Sequence, residues 1–257
     1  MKTVLLAGGQ GTRLAEETEV RPKPLVEIGG RPIIWHIMKH YRFNGFSEFI
    51  IAMGYKAELI KRYFVEAATI AGDLTVDLAT RSVTRHEHVH EDWLVHLVDT
   101  GEHTLTGGRL KRLESWLAGS GTFMLTYGDG IADVDVKRLV RFHREQGRLA
   151  TMTAVRQPAR FGAIVFEGNV VKEFKEKPQM SESWINGGFL VFEPEVFSYL
   201  QGDQDSLEST VLERLSADGQ LSVYHHEGFW QCMDTLRDKR YLESLWTSGQ
   251  APWRLSA

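Results

Sequence analysis

The chain has 257 residues, 42% of them hydrophobic, which is enough for one substantial core in a single α/β domain. Its 30 basic and 34 acidic side chains give a formal net charge of −4, which excludes the broad positive surface of a nucleic-acid-binding protein. No apolar run reaches the roughly 18 residues of a membrane span, and a single cysteine, Cys232, excludes an internal disulfide. We therefore expect a cytoplasmic protein that binds neither membranes nor nucleic acid.

The first predicted strand, residues 4–7, leads into a glycine-rich loop. Its glycines lack the Cβ atoms that would keep phosphate oxygens away from backbone N–H groups; they are Gly8, Gly9 and Gly11. Arg13 adds a planar fork that suits phosphate oxygens, and Lys23, between two prolines, adds a compact point charge. The spacing fits neither a P-loop nor a dinucleotide-binding fingerprint. The pattern predicts a site for a nucleoside triphosphate.

Strand-like and helix-like segments alternate through the first half of the chain. The strand-like runs are residues 4–7, 49–53, 122–126 and 150–155, and the helical segments are residues 33–41, 57–68 and 136–146. This alternation predicts a Rossmann-like, mainly parallel sheet flanked by helices, in an α/β fold. Ligands of such sheets bind beyond the carboxyl ends of the strands, where the glycine loop would lie.

Residues 81–106 are long for a connection and contain three histidines at alternate positions, His86, His88 and His90. On a strand this spacing would place three imidazoles on one face, as a zinc site requires. The neighbouring carboxylates favour instead an ordinary solvated or subunit-contact strand; they are Glu87, Glu91 and Asp92. We adopt this second interpretation.

Two aspartates follow predicted strands and are candidate metal ligands. Asp129 lies between two glycines, and Asp234 follows a second apolar strand late in the chain. Carboxylates from separate strand ends suit Mg²⁺, which prefers oxygen ligands and bridges substrate phosphates. Each has a structural alternative: Asp129 as a turn residue, and Asp234 as the N-cap of a helix that begins at Leu236.

The second half of the chain is richer in strands. Residues 161–166 and 170–174 flank the turn sequence Glu-Gly-Asn at 167–169, which predicts a hairpin. Helical segments at 207–216 and 236–246 flank a further pair of strands. No linker rich in Pro, Gly or Ser divides the chain, so we predict one domain over residues 1–257.

The motifs together resemble those of the sugar-1-phosphate nucleotidylyltransferases. The signature is LAGGQGTRL at 6–14 with Pro-Lys-Pro at 22–24. It is followed by YGDG at 127–130, FKEKP at 174–178, INGGF at 185–189 and WQCMDT at 230–235, so the resemblance covers nearly the whole chain. Segments such as VEIGG at 26–30, VDTG at 98–101, TGGRLKR at 106–112 and MDTLRDK at 233–239 are most similar to the cytidylyltransferase branch of the family.

The resemblance implies a nucleotide-diphospho-sugar transferase fold in which residues 1–157 mainly bind nucleotide and residues 158–257 mainly cover the sugar and contact other subunits. The implied catalytic residues are Arg13, which would stabilise the leaving phosphates, Lys23, which would neutralise the transition state, and Lys177, which would orient the attacking oxygen. The implied nucleotide-binding residues are Leu6, Gly8, Gly9, Gly11, Thr12, Arg13, Lys23, Thr106, Gly108, Arg109 and Asp129. Those for the sugar phosphate are Tyr127, Gly128, Glu176, Lys177, Asn186 and Gly187, and those for Mg²⁺ are Asp129 and Asp234.

Several of these residues also have plain structural interpretations. Arg109 would either help to recognise the base or be a first-turn helix residue with its charge in solvent. Asn186 and Gly187 would otherwise form a strand bulge, and Glu176 and Lys177 a solvated strand end.

The substrates implied are CTP and glucose 1-phosphate, which would give CDP-glucose and pyrophosphate with Mg²⁺ and no covalent intermediate. The residues alone do not distinguish CTP from UTP, so a uridylyl- or thymidylyltransferase and a non-catalytic regulatory subunit remain alternatives. The family also implies a homo-oligomer, with a hexamer favoured, and a product used for dideoxysugars of lipopolysaccharide O-antigen. Three tryptophans would lie either at subunit contacts or in the core: Trp93, Trp246 and Trp253.

Overall fold

The computed structural model of the chain describes residues 1–86, 91–156, 163–175 and 183–254. The strands are β1 (Thr3–Ala7), β2 (Glu27–Ile28), β3 (Arg31–Pro32), β4 (Glu48–Met53), β5 (Leu74–Asp77), β6 (Ser82–Arg85), β7 (Leu94–Asp99), β8 (Phe123–Tyr127), β9 (Gly130–Ala132), β10 (Ala150–Arg156), β11 (Ala163–Glu167), β12 (Val170–Lys175), β13 (Trp184–Phe192), β14 (Leu221–His226) and β15 (Trp230–Cys232). The helices are α1 (Ala15–Thr18), α2 (Ile33–Phe43), α3 (Ala57–Thr69), α4 (Thr106–Arg112), α5 (Glu114–Leu117), α6 (Val136–Gln146), α7 (Glu213–Ala217) and α8 (Leu236–Thr247). Short 3₁₀ turns cover Thr12–Leu14, Lys23–Leu25 and Pro194–Tyr199, and a π-helical turn covers Leu207–Leu212.

A central sheet organises the described residues, with strand order β14-β10-β13-β8-β1-β4-β7. β1 pairs in parallel with β4 and β8, and β4 pairs in parallel with β7. Only β13 runs against its neighbours β8 and β10, while β14 is parallel to β10. This arrangement confirms the predicted mixed, mainly parallel sheet.

The apolar sequence of β1 explains why this strand lies at the centre. All of its residues are buried, because a parallel strand covered by helices has two apolar faces. Leu5 belongs to one hydrophobic cluster and Val4 to the other, as the two-residue period of a strand requires. The core therefore lies on both faces of the sheet, and the loops at its edge are left to bind ligands.

Most of the predicted elements are confirmed, with two differences in the second half. α2, α3 and α6 begin at the predicted residues, and β11 and β12 form the predicted hairpin. The predicted helix at 207–216 is instead a π-helical turn followed by α7. The two strands before α8 do not pair with each other: β14 extends the central sheet beside β10, and β15 pairs with β9.

The histidine-containing segment includes parts of two separate elements. β6 pairs with β5 in a small hairpin, and β7 forms an edge of the central sheet. His86 is exposed and its Nε2 lies 2.8 Å from Thr75 Oγ1. Glu91 and Asp92 form surface ion pairs with Lys39 and Arg42, in agreement with the interpretation of this segment as solvated. His88, His90 and Glu87 lie outside the described residues.

The three tryptophans pack against the core in this structure. Trp253 is 3% exposed and stacks on Phe229, with ring centroids 5.3 Å apart. Trp93 and Trp246 are partly buried against the same cluster. Within the described ranges, no helix is long and apolar enough to cross a membrane.

Candidate active site

The site begins where β1 and β8 end side by side. Leu6 pairs with Tyr127 in the parallel register, and the Gly128 N–H donates to the Leu6 carbonyl at 3.0 Å. A Cβ at Gly128 would lie 2.9 Å from that oxygen, so glycine is required at this contact. The glycine loop and the loop carrying Asp129 therefore lie next to each other.

The glycine loop turns tightly into the helical segment that follows. Gly11 has φ +65, and a Cβ there would meet the Thr18 side chain at 2.9 Å. The Thr18 hydroxyl lies near the carbonyls of Gly11 and Leu14, at 3.1 and 3.0 Å. Gly9 is exposed and has open space around it. The loop thus has a fixed base and an accessible backbone.

Lys23 is held on a short 3₁₀ turn between its two prolines. The turn is closed by Leu25 N–H, which donates to the Pro22 carbonyl at 2.8 Å. Because proline fixes φ on both sides, the backbone of Lys23 has little freedom. The residue is 8% exposed, and its ammonium group extends toward the end of β8.

Pairing of β9 with β15 brings the two predicted metal ligands together. Gly130 pairs with Cys232, and Met233 N–H donates to the Asp129 carbonyl at 2.9 Å. Asp234 is not the N-cap of α8: Thr235 accepts from Asp238 N–H, and the Asp238 side chain completes a capping box. The structural alternative for Asp234 is therefore wrong, and its carboxylate is available for the site.

Four charged side chains converge at this point. Lys23 Nζ lies 2.6 Å from Asp129 Oδ2 and 2.6 Å from Asp234 Oδ1, and Arg13 NH1 lies 2.8 Å from Asp234 Oδ2. The side chains of Lys23 and Asp234 are each 10% exposed, whereas that of Arg13 is 74% exposed. Two cations and two carboxylates give the cluster no formal net charge.

The pKa directions agree with a charged cluster. Burial opposes the charge on Lys23, but Asp129 and Asp234 outweigh it and raise the pKa of its ammonium group. Burial likewise opposes ionisation of Asp234, but the hydrogen bond and charge of Lys23, with Arg13, lower the pKa of its carboxyl group. Both groups are ionised near neutral pH.

The two carboxylates form a donor set suited to Mg²⁺. Both approach one ammonium group, so both lie within reach of a common cation. Mg²⁺ is commonly held by one or two carboxylates, with water and substrate phosphates completing the shell. Among the described residues no group of three or more His, Cys, Asp or Glu could hold a metal ion. Asp129 and Asp234 would thus hold a metal ion only together with oxygens from water or a ligand.

A cavity of about 370 Å³ opens beside this cluster. Most of the residues predicted to bind nucleotide line it: Leu6, Gly8, Gly9, Gly11, Thr12, Arg13, Lys23, Thr106, Arg109 and Asp129. Tyr127 and Gly128, predicted for the sugar phosphate, line it as well. Gly108, Asn186 and Gly187 do not, and Glu176 and Lys177 lie outside the described residues.

Arg109 is buried, so the interpretation that its charge lies in solvent is wrong. Its guanidinium donates to the carbonyls of Met53 at 3.0 Å, Gly101 at 2.6 Å and Gly8 at 3.0 Å. Further bonds reach the Glu102 carbonyl and the Thr100 hydroxyl. Arg109 therefore ties the first turn of the glycine loop to the ends of β4 and β7.

Gly108 has a packing role in the structure. A Cβ at this position would lie 2.4 Å from the Asp203 carbonyl, and one at Gly107 would lie 2.8 Å from the Asp205 carbonyl. The two glycines let the first turn of α4 pack directly on the segment that precedes the π-helical turn. Gly108 thus supports the wall of the cavity through packing, without lining it.

Asn186 and Gly187 lie at an irregularity of β13, as their structural interpretation predicted. The register with β10 shifts between Met152 and Ala154, and Gly188 has φ +85. Asn186 Nδ2 nevertheless donates to the Tyr127 hydroxyl at 3.3 Å, so the bulge directs this amide toward a residue of the cavity. The Gly187 carbonyl accepts from Trp230 Nε1 at 2.8 Å.

Four residues that line the cavity were not predicted as site residues: Ala7 and Pro24, which lie within the two signature motifs, and Thr104 and Leu105. Thr104 is 7% exposed and Leu105 is 45% exposed. Both lie in the irregular loop before α4, which has no periodicity. Their position directly before the Thr-Gly-Gly-Arg segment is the one signal that would have indicated them.

Comparison with known proteins agrees with this geometry. A family model described as nucleotidyl transferase matches residues 2–238. The chain belongs to the nucleotidyl transferase family. A glucose-1-phosphate cytidylyltransferase from Salmonella typhi is 48% identical over 254 residues, covering 99% of each chain. A probable glucose-1-phosphate cytidylyltransferase from Bacillus subtilis is 41% identical over 256 residues, covering 99% of this chain and 100% of the relative.

Solved structures share the fold of this nucleotidyl transferase. A putative glucose-1-phosphate thymidylyltransferase from Bacillus anthracis, solved in complex with a sucrose, superposes with a TM-score of 0.71 at 19% identity. The match covers 100% of this chain and 97% of that one. The common architecture is that of the nucleotide-diphospho-sugar transferases, as the sequence motifs implied.

Proposed function

We propose that this nucleotidyl transferase transfers CMP from CTP to α-D-glucose 1-phosphate and forms CDP-glucose and pyrophosphate. The observation that carries the proposal is the convergence of Lys23, Asp129 and Asp234, from distant parts of the chain, beside a glycine-lined cavity. The choice of CTP and glucose is supported by the two cytidylyltransferases, which are similar over essentially their whole length.

The reaction brings two polyanions together, so its main obstacle is charge repulsion. An oxygen of the sugar phosphate attacks the α-phosphorus of CTP, a new P–O bond forms, and the bond to the β-phosphate breaks with release of pyrophosphate. Two unit charges about 4 Å apart repel by about 4 kcal/mol at an effective dielectric of 20. Fixed countercharges in a partly dry site lower this barrier.

The chain's own residues would provide these countercharges. The side chain of Arg13 is mostly exposed, so it can move toward the departing phosphates without giving up a buried position. Lys23 is buried and stiffly held, which suits a charge near the reacting α-phosphate. Lys177, outside the described residues, is proposed to orient the sugar phosphate with Glu176.

Mg²⁺ is the proposed cofactor, held by Asp129 and Asp234. When bound, it would neutralise phosphate charge and orient the triphosphate. The carboxylate oxygens that would hold it are those that now bind Lys23. With both substrates in the site, the Lys23 ammonium group would donate to phosphate oxygens in place of these carboxylates.

The nucleotide alternatives are separated by one experiment. Pyrophosphate release is measured with CTP, UTP, dTTP, GTP and ATP, each with glucose 1-phosphate and saturating Mg²⁺. We expect CTP to give the highest kcat/KM. A preference for UTP or dTTP would replace the cytidylyl assignment, and nucleotide binding without any product would support a regulatory subunit.

We also propose that the enzyme acts in the cytoplasm, where CTP is available, and assembles as a hexamer. The support for the assembly is resemblance within the family. Sedimentation equilibrium of the purified chain tests it, and a monomer at micromolar concentration would reject it.

A further inference from the structure

Glu208 connects two walls of the cavity although it does not line the cavity itself. It is half-buried in the π-helical turn, two residues after the Ser206 cap. One carboxylate oxygen accepts from the Tyr127 hydroxyl at 2.5 Å. The other accepts from the hydroxyls of Thr106 and Ser206, both at 2.8 Å.

The hydroxyl donors come from separate elements. Tyr127 ends β8, Thr106 begins α4, and Ser206 caps the π-helical turn. Tyr127 and Thr106 both line the cavity. One carboxylate therefore fixes two cavity residues that no direct hydrogen bond joins within the described part of the chain.

An ionised carboxylate is the side-chain group that can accept all of these bonds. It offers two acceptor oxygens and no donor, whereas an amide offers one acceptor oxygen. Burial raises the pKa of Glu208, but the bonds from Tyr127, Thr106 and Ser206 outweigh it and lower the pKa overall. The geometry and the charge agree.

These bonds decide how the cavity residues present their polar atoms. The Tyr127 hydroxyl donates its hydrogen bond to Glu208, so its oxygen accepts from the Asn186 amide. Its ring lies against Gly188, where a Cβ would be 2.5 Å from the ring. The Thr106 hydroxyl donates a hydrogen bond to Glu208, and its oxygen accepts from Leu207 N–H at 2.9 Å.

We propose that Glu208 is a positioning residue for both substrates. It holds Tyr127, and through it Asn186, on the side assigned to glucose 1-phosphate, and it holds Thr106 on the side assigned to the nucleotide. The inference rests on the proposed function for its choice of substrates, and on the hydrogen bonds for its choice of residue.

The test compares Michaelis constants for the two substrates in a set of variants. Glu208→Ala should raise the KM for glucose 1-phosphate and the KM for CTP by about tenfold each, the effect of one lost charge-assisted bond. Tyr127→Phe should raise only the first and Thr106→Val only the second. Glu213→Ala, an exposed glutamate on α7, is the matched control and should change neither.

A double variant shows whether Glu208 acts through Tyr127. In Glu208→Ala with Tyr127→Phe, the KM for glucose 1-phosphate should stay near the tenfold increase of the single variants. A multiplied increase of about a hundredfold would mean independent action and would overturn the proposal.

Other outcomes separate this proposal from the proposed function. Wild-type KM values in a folded Glu208→Ala would reject the positioning role while leaving the activity established. Absence of product from the wild type with every nucleotide would reject the function instead. If Glu208→Ala does not fold, as judged by thermal unfolding, Glu208→Gln replaces it; unchanged KM values for both substrates in that variant would equally reject the role.

Discussion

The ammonium nitrogen of Lys23 lies 2.6 Å from Asp234 Oδ1, although the residues are 211 positions apart in the sequence. The pair therefore exists only in the folded chain, where the β9–β15 pairing places Asp234 beside Asp129. It links the loop after β1 to the start of α8. The predictions below test what this contact and its surroundings contribute.

Replacing Lys23 with methionine should lower kcat by about 10²–10³-fold, as loss of one transition-state donor does in other enzymes. Steady-state pyrophosphate release with CTP and glucose 1-phosphate measures the effect. Lys61→Met is the control, because Lys61 pairs with Glu58 on α3, away from the cavity. A Lys23→Met variant with wild-type turnover would exclude the proposed role.

Asp129→Asn should raise the Mg²⁺ concentration for half-maximal activity by at least about tenfold, since changes even to outer-shell partners cost about 10- to 100-fold in metal affinity. Titration of Mg²⁺ at fixed CTP measures it. Asp218→Asn is the control and should behave as wild type, because the Asp218 carboxylate accepts from the Tyr199 hydroxyl at the surface. Equal Mg²⁺ requirements in both variants would exclude the proposed role of Asp129 as a metal ligand.

Two glycines should respond differently to the same added methyl group. Gly108→Ala should destabilise the protein by about 1–3 kcal/mol, because the new Cβ would meet the Asp203 carbonyl at 2.4 Å. Gly9→Ala meets nothing within 4 Å, so it should leave the free energy of unfolding unchanged but raise the KM for CTP. Urea unfolding and steady-state kinetics measure the two effects. A stable Gly108→Ala variant would show that α4 can shift away from its neighbour.

Stability should fall as the pH drops below about 6.5, because buried histidines resist protonation. Burial lowers the pKa of His40, whose Nε2 donates to the Val134 carbonyl at 2.6 Å and whose Nδ1 has no partner in the described structure. A lowered folded-state pKa means that the unfolded state binds protons first, so stability decreases with falling pH, by up to about 1.4 kcal/mol per pH unit.

The midpoint of thermal unfolding at pH 7.5 and pH 5.5 measures this dependence. His40→Gln should show a smaller difference between the two pH values than the wild type, even if its midpoint is lower at both. His103→Gln, an exposed histidine, serves as the comparison. An identical pH dependence in wild type and His40→Gln would contradict the assignment.

The sequence predicted those parts of the site that depend on local chain chemistry. The glycines after β1 and the proline-bounded Lys23 occupy the positions expected of them, since backbone conformation there depends on neighbouring residues. The alternation of apolar runs likewise predicted the central sheet, because each strand must bury both faces.

The features that escaped prediction depend on distant backbone atoms. The acceptors of Arg109 are mainly backbone carbonyls, including those of Met53 and Gly8. A sequence does not indicate which carbonyl groups come together in the folded chain. The pairing of β15 with β9 was missed for the same reason, since short strands have no pattern that selects a partner. In the sequence nothing distinguishes Glu208 from a surface glutamate. Its role depends on three hydroxyl donors that only the folded structure shows.

The capping box at Thr235 and Asp238 separates two tasks at neighbouring positions. Because Thr235 caps the first turn of α8, the carboxylate of Asp234 has no part in starting that helix. A substitution at position 234 would therefore alter the charge facing the ligand and remove one of the two carboxylates that pair with the buried Lys23, while the cap of α8 stays in place. The start of α8 and the charge at the site are thus set by different residues, so the charge can change without loss of the helix cap.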